Sequence, residues 1–589
     1  MRRARQPLAL VAGALVLAAT AAARDPAARL RPTGHAATAD AASRHGAAVA
    51  GEHRAAASAG AEILRAGGSA ADAAIAAAAA GCVVHPASCG VGGGGFALVR
   101  PARGPAVALD FRETAPQRGT PDRFVDADGT PRPERLRQGG LAVATPGEVA
   151  GWVALHRRFG RLPMKAVLAP AIRLARDGFA LAEAPALRRQ IEANAGLLRA
   201  DAGLAAVFLD AGGALPGPAF RVVQADLACT LEAVARAGVR AVYAGATAEA
   251  IVRAVGSRGG VLQLDDLARY RPRWRTPLIR RFRGREVIAF PPPGGGATVL
   301  TALGVLSRDD PVALGAGTAT WLHLLAGAMA QAFADRARWY GDPAATPVPV
   351  DALLAPPRLA RLRAGLRATA RAEPDPALAA AAGGGTANVS VLDAEGGAVA
   401  LTTTINRPFG AGILVPGTGI VLNDEMDDFA VAPGVANAYG LVGTAANAVA
   451  PGKRPQSSMS PTIVVRDGRP ELVVGGSGGP AIVSGVLQVV LGVTAFGLDA
   501  PGAVAAPRIH DQAVPPGLAV EPGIDATARA ALTRVGHRLR EATALGAVSA
   551  VAVAADGTLT AAGDARKDGG AVLLALPDPR PPARPSGSP

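Results

Sequence analysis

The stretch Gly383-Gly384-Gly385-Thr386-Ala387-Asn388-Val389-Ser390-Val391-Leu392-Asp393 decides how the chain is read. It joins a run of glycines to a segment whose alternation has the period of a strand. Residues 398–404 repeat the alternation after the turn Glu395-Gly396-Gly397, which makes the pair a hairpin. Thr386 stands where flexible glycines, tolerant of backbone strain, give way to that strand. A threonine hydroxyl is a weak nucleophile and needs a base. If the chain is cut before Thr386, the freed α-amine supplies one, with an ordinary pKa of about 7.7–8.0 near working pH. The Gly-Gly-Thr spacing alone is that of an ordinary loop, so other residues must carry the weight.

Upstream, residues 56–66 and 70–80 read as two helices separated by Gly67-Gly68-Ser69. A Gly-rich turn over 90–95 leads into a strand at 96–99, and residues 107–111 form another. Residues 150–255 read as mostly helical. The run Pro291-Pro292-Pro293-Gly294-Gly295-Gly296 breaks the chain before a further helical stretch reaching about Tyr340. Residues 345–385, rich in Pro and Ala, read as an exposed loop. Downstream of Thr386, strands are expected at 462–465, 472–474 and 549–554, and a helix at 481–491. The Pro-rich tail over 577–589 reads as disordered. A helix-rich first part, a soft joint and a mixed second part together give an α+β chain.

The N-terminus carries Arg2, Arg3 and Arg5, then an apolar run over residues 8–23 ending in Ala21-Ala22-Ala23. That is the layout of a cleavable export signal over residues 1–23, and the run is shorter than the ~20 residues a spanning helix needs. No stable membrane anchor is expected, and the protein reads as exported, periplasmic or secreted. The net charge of +14 comes almost wholly from scattered arginines, since Lys165, Lys453 and Lys567 are the lysines. With aromatics at 4%, the chain lacks the stacking residues of a nucleic-acid platform, and none is expected as partner. No Cys/His spacing reads as a metal site, and no cofactor is expected. An exported chain could pair Cys82 with Cys89, but the odd count of three and the missing framework read them as small core residues.

Four more segments could carry chemistry. Asn423-Asp424-Glu425-Met426-Asp427-Asp428-Phe429, flanked by apolar residues, suits an ammonium group. In Lys453-Arg454-Pro455-Gln456-Ser457-Ser458-Met459-Ser460-Pro461, paired hydroxyls between prolines can hold a carboxylate. Gly475-Gly476-Ser477-Gly478-Gly479 lies between a strand and a helix. It matches a nucleophile elbow at Ser477 formally, and it equally suits backbone N–H groups that stabilise an oxyanion. Asp110-Phe111-Arg112-Glu113 ends a strand, where Arg112 can clamp a carboxylate. A solvated acidic face, a serine-rich turn, a tight turn and a structural ion pair are the plain alternatives. Together the four describe a site for an α-amino acid.

The combination resembles the γ-glutamyltransferase (γ-glutamyltranspeptidase) family of N-terminal nucleophile hydrolases, from about Ala47 to Gly570. Its strongest stretches are residues 67–76, 90–96, 111–116, 419–429, Tyr439-Gly440-Leu441-Val442-Gly443 and 447–461. The resemblance implies a four-layer αββα sandwich formed by two subunits from one precursor. Self-cleavage between Gly385 and Thr386 would leave a large subunit of 24–385 and a small one of 386–589, held together as a heterodimer. Thr386 would take the γ-glutamyl group of glutathione or a related donor as an ester and pass it to water, an amino acid or a peptide. By the same resemblance Thr404 would orient Thr386. Arg112, Ser457 and Ser458 would hold the donor α-carboxylate, and Asn406, Glu425 and Asp428 its ammonium. Gly478 and Gly479 would form the oxyanion hole, Ser477 would be a turn residue, and Tyr439 falls where many bacterial members have a mobile lid. The chain departs from the family at Ala387 and Asn388, where Thr or Ser and then His are usual. It departs also at Arg407-Pro408, Gln456 and Ala481. A related exported acylase acting on another amide, a non-maturing γ-glutamyl-binding protein and a serine hydrolase using Ser477 are the alternatives.

Overall fold

The computed structural model describes residues 46–366 and 385–575. The expected export signal, the glycines before Gly385 and the Pro-rich tail lie outside the described residues. A seven-stranded sheet has the order Gly570–Ala575, Gly46–Gly51, Gly385–Leu392, Ala398–Asn406, Gly94–Arg100, Val107–Phe111, Arg273–Arg275. A six-stranded sheet has the order Leu559–Ala562, Ala547–Val553, Arg469–Ser477, Thr462–Arg466, Arg285–Ala289, Leu278–Phe282. Thus the strand beginning at Gly385 is an interior strand, third of the seven, with the chain's first and last described strands on one side of it.

Alternation along these strands builds the layers, because successive side chains point to opposite faces. Val49, Ala97, Val99, Val389, Val391, Val399 and Leu401 belong to a core shared with helices Arg54–Arg65, Ala70–Val84 and Met164–Asp177. Their neighbours Ala48, Ala50, Phe96, Leu98, Ala398 and Ala400 instead join a second core. That core holds Ile288, Ile463, Val473 and Val551 of the six-stranded sheet and residues of helices Gly296–Val305, Ala319–Trp339 and Ala481–Thr494. Helix, sheet, sheet and helix are therefore stacked as the αββα sandwich. The helix Ala70–Val84, buried along its whole length and largely alanine, starts at a Ser69–Asp72 capping box that closes off the preceding glycines.

Three expectations are corrected. The stretch 345–385 is not one exposed loop: its described part folds into helices Val350–Leu353 and Pro356–Ala364. Gly385 is buried and already paired in its strand with Asn406, four positions before the alternating apolar pattern begins at Val389. It enters there because a Cβ would stand 2.6 Å from Arg407 O and 2.9 Å from Ala87 O. Finally, Cys82 and Cys89 are core residues but are also joined in a disulfide, with Cα atoms 5.0 Å apart. Their separation of seven in sequence gave no geometric cue; the turn after helix Ala70–Val84 folds them together.

Candidate active site

Antiparallel pairing sets Thr386 directly across from Thr404, and the register slips between Thr404 and Asn406. The bulge puts Asn406 in the left-handed region at φ 73, a conformation asparagine accepts more readily than most residues. Three hydrogen bonds hold it there. Asn406 N donates to Thr404 Oγ1 at 2.8 Å, Asn406 Nδ2 to Asp424 O at 3.0 Å, and Tyr439 Oη to Asn406 O at 2.7 Å. Strain of this kind persists only where the surroundings over-determine it.

Thr404 Oγ1 is the hub. It donates to the carbonyl oxygen of Gly385 at 2.7 Å and lies 3.2 Å from Thr386 Oγ1. A hydroxyl has one proton. With Thr404 giving its own to Gly385 O, the Thr386–Thr404 contact is a hydrogen bond donated by Thr386. The chain of donors therefore runs from Thr386 through Thr404 to the carbonyl of the peptide that precedes Thr386. Such an arrangement can draw a proton from the Thr386 hydroxyl while polarising the adjacent carbonyl.

Arg112, fully buried, follows strand Val107–Phe111. Its Nη1 donates to Glu425 Oε1 and its Nη2 to Asp428 Oδ2, both as short contacts, and Nη2 also donates to Gln456 O at 3.1 Å. Glu113 Oε2 lies 3.6 Å from Nη1. Three carboxyl groups thus surround one guanidinium. Burial alone would lower the Arg112 pKa, but Glu425, Asp428 and Glu113 outweigh it and hold Arg112 above its ordinary value. Burial raises Glu425, partly offset by Arg112, and it pushes Glu113 up to about 8, again against Arg112. The sequence reading separated Arg112, for a carboxylate, from Glu425 and Asp428, for an ammonium. Here they are bonded to one another in a single ion cluster.

The acidic run sorts into different duties. Asn423 spans Gly92, Ala144 and Glu425 with both ends of its amide, a structural clasp. Asp427 turns away to Arg137 at 3.0 Å. Glu425 and Asp428, on one 3-10 turn, face Arg112. Ser457 is anchored through its N–H to Pro293 O at 2.7 Å, and its Oγ accepts from Met459 N at 3.2 Å.

Gly478 and Gly479 follow strand Arg469–Ser477 at φ 118 and 58. A Cβ on Gly478 would stand 2.7 Å from Gly546 Cα, and one on Gly479 would stand 2.9 Å from the Tyr439 ring, so both positions require glycine. Tyr439, buried, closes over this corner. A cavity of about 20 Å³ brings together Arg112, Thr386, Thr404, Asn406, Glu425, Asp428, Ser457, Ser458 and Gly479, with Tyr439 in its wall; Gly478 lies outside it. On the other side of Tyr439 a second cavity, of about 510 Å³, reaches Gly478, Ser477 and Lys567. The small cavity holds about a water molecule, whereas ligand pockets run to roughly 300–1,000 Å³. Tyr439 lines both cavities and stands between them in this conformation.

The sequence reading missed a second support for Thr386. Lys567 Nζ donates to Thr386 O as a short contact and pairs with Glu52 Oε2 at 2.7 Å, while Glu52 Oε1 accepts from Asn388 N at 3.0 Å. The pair straddles Ala387 from the two ends of the chain. Burial raises the Glu52 pKa, and Lys567 opposes the rise. Ser477 Oγ sits 3.4 Å from the same ammonium. One signal was legible: Lys567 is a rare lysine in an arginine-rich chain. Asn388 lies between the sheets, with its amide 2.7 Å from Ser549 Oγ and 2.8 Å from Thr402 Oγ1. Among the described residues no cluster of three His, Cys, Asp or Glu side chains could hold a metal ion. No helix there is long and apolar enough to cross a membrane.

The sequence profile of the family described as gamma-glutamyltranspeptidase matches residues 56–574. A glutathione hydrolase proenzyme of Escherichia coli (strain K12) is 39% identical over 512 residues, covering 86% of this chain and 88% of that protein. The acylase ACY 1 proenzyme of Pseudomonas sp. (strain SE83) is 37% identical over 530 residues, covering 89% and 92%. Among solved structures, cephalosporin acylase from Bacillus halodurans superposes with a TM-score of 0.79 at 28% identity, covering 91% of this chain and 97% of that one.

Proposed function

The chain belongs to the γ-glutamyltranspeptidase family, and from that premise we propose that it is a self-cleaving γ-glutamyltransferase and hydrolase with Thr386 as nucleophile. The observation that carries the proposal is the chain of hydroxyls from Thr386 through Thr404 to Gly385 O. In maturation, Thr386 Oγ1 attacks the Gly385 carbonyl carbon, and its proton passes by way of Thr404. The C–N bond of the Gly385–Thr386 peptide breaks as the ester forms, and the nitrogen takes up that proton to leave as the free amine. Water then hydrolyses the ester, leaving subunits 24–385 and 386–589 and the α-amine of Thr386. An export signal over residues 1–23 would be removed separately, and export to the periplasm or medium is part of the same reading.

In turnover the Thr386 α-amine takes the proton of its own hydroxyl as that oxygen attacks the γ-amide carbonyl of a donor such as glutathione. The N–H groups of Gly478 and Gly479 receive the developing oxyanion. The leaving amine departs with the proton, and the γ-glutamyl ester passes to water, an amino acid or a peptide. Arg112, Ser457 and Ser458 take the donor carboxylate; Asn406, Glu425 and Asp428 take its ammonium. The cluster around Arg112 suits this exchange, because a zwitterion adds a carboxylate for the guanidinium and an ammonium for the carboxylates without changing net charge.

Mass spectrometry of the purified protein after incubation with a γ-glutamyl donor tests the reading. It should show a fragment beginning at Thr386 carrying a γ-glutamyl adduct; a chain that stays single and inactive under all conditions would sink it. That same chain, if it bound glutamate, would be the non-maturing binder. The likeness to two acylases supports a second reading, an exported acylase for another amide. Faster turnover of an acyl-amino acid than of a γ-glutamyl anilide would select it.

A further inference from the structure

The sulfurs of Cys82 and Cys89 pack with the side chain of Ala387, the residue after Thr386. Cys82 lies in the last turn of helix Ala70–Val84, and the loop His85-Pro86-Ala87-Ser88 that the crosslink closes is buried throughout. Three residues of that loop, His85, Ala87 and Ser88, touch the cleavage region. Ser88 O accepts from Ile405 N at 3.2 Å and Ala87 O from Phe409 N at 3.2 Å, on either side of the strained Asn406. Ala87 O also backs onto Gly385, where it leaves no room for a Cβ. The His85 ring Nε2 lies 3.1 Å from Glu52 O, and Glu52 holds Asn388 N. The carboxylate side of the pocket is held otherwise, with Arg112 on Gln456 O and Ser457 on Pro293 O.

We propose that the Cys82–Cys89 disulfide is a positioning element for Thr386. It fixes the loop at the depth where the Gly385 carbonyl and the hydroxyls of Thr386 and Thr404 meet, and it acts on the reacting atoms while sparing the donor's carboxylate pocket. Ala387 belongs to the same unit: its methyl group is buried with the two cysteines, where a hydroxyl would need a partner. Disulfides persist in oxidising compartments, which accords with export.

The inference rests on Thr386 being the nucleophile, and the wild-type protein in the same experiment tests that separately by its own cleavage and turnover. The variant Cys82→Ser/Cys89→Ser is compared with wild type for the rate of precursor cleavage and for kcat and KM on a γ-glutamyl anilide. Near-UV circular dichroism and a melting curve confirm that the variant is folded. Cleavage, which involves no donor, and kcat should each fall by about tenfold or more, the scale of a slight misplacement of reacting atoms, with any rise in KM smaller than the loss in kcat, because the loop flanks Asn406 but not Arg112 or Ser457. If the serine pair does not fold, Cys82→Ala/Cys89→Val, which fills the space without the bond, is measured in its place. Cleavage and kcat within about twofold of wild type in a folded variant, or a raised KM at unchanged kcat, overturns the proposal.

Discussion

The hydroxyl of Thr404 donates to the carbonyl oxygen of Gly385 over 2.7 Å. That bond lies on the peptide whose scission would free Thr386, so on the proposed mechanism Thr404 would serve the precursor before the mature enzyme. Thr404→Ala should slow appearance of the two fragments by roughly 10²-fold, the usual scale for losing one donor to a developing oxyanion. Thr404→Ser, which keeps the hydroxyl, should recover most of the rate. A gel time course decides it, and wild-type cleavage in Thr404→Ala would remove Thr404 from the mechanism.

Arg112 is forked between Glu425 and Asp428. A lysine cannot reproduce that planar pairing. Arg112→Lys should raise KM for a γ-glutamyl anilide by about 10- to 100-fold, the worth of one or two charge-assisted hydrogen bonds. Precursor cleavage should continue, since Arg112 lies off the Thr386–Thr404–Gly385 line. Equal losses in cleavage and donor binding would show that the ion cluster holds the fold and not the donor.

Tyr439 divides the two cavities. Tyr439→Ala should merge them. Donors with bulky leaving groups should then gain kcat/KM relative to γ-glutamyl methylamide, measured side by side. An unchanged ratio would place donor entry elsewhere.

Glu148, buried beside Thr403 with an Oγ1–Oε2 distance of 2.6 Å, is pushed up by burial from 4.5 to about 8, against the hydrogen bond from Thr403. The folded protein therefore keeps this proton where the unfolded chain has lost it. Its stabilising effect is full below about 4.5 and drains away as pH rises to about 8, since stability falls wherever the unfolded state binds fewer protons. Glu148→Gln should flatten the decline in melting temperature across that window. An unaltered slope between variant and wild type would show that Glu148 titrates normally.

The α+β character was readable because alternation is local: Val389, Ser390 and Val391 declare a strand without reference to distant residues, whereas the αββα layering came only with the family resemblance. The residues of the site were legible only as separate segments, each with an ordinary alternative, until their joint resemblance to one family assembled them. Glu52 and Lys567 escaped notice because they lie 515 positions apart (567 less 52). No periodicity links residues so distant.

The order of residues by itself determined the strand that begins near Thr386, the glycines that let the chain bend there, and the residue types suited to an amino-acid donor. Only the tertiary structure decided that Arg112 is already bonded to Glu425 and Asp428, that Tyr439 shuts the pocket, and that Cys82 and Cys89 are joined behind Ala387. Backbone pattern and propensity act over a few residues, whereas ion pairing, cavity closure and crosslinking depend on which distant segments packing brings within a few ångströms. The neighbourhood of Thr386 is of the second kind: its strand partner Thr404 and the C-terminal Lys567, itself paired with the N-terminal Glu52, meet there only because its strand lies inside a sheet.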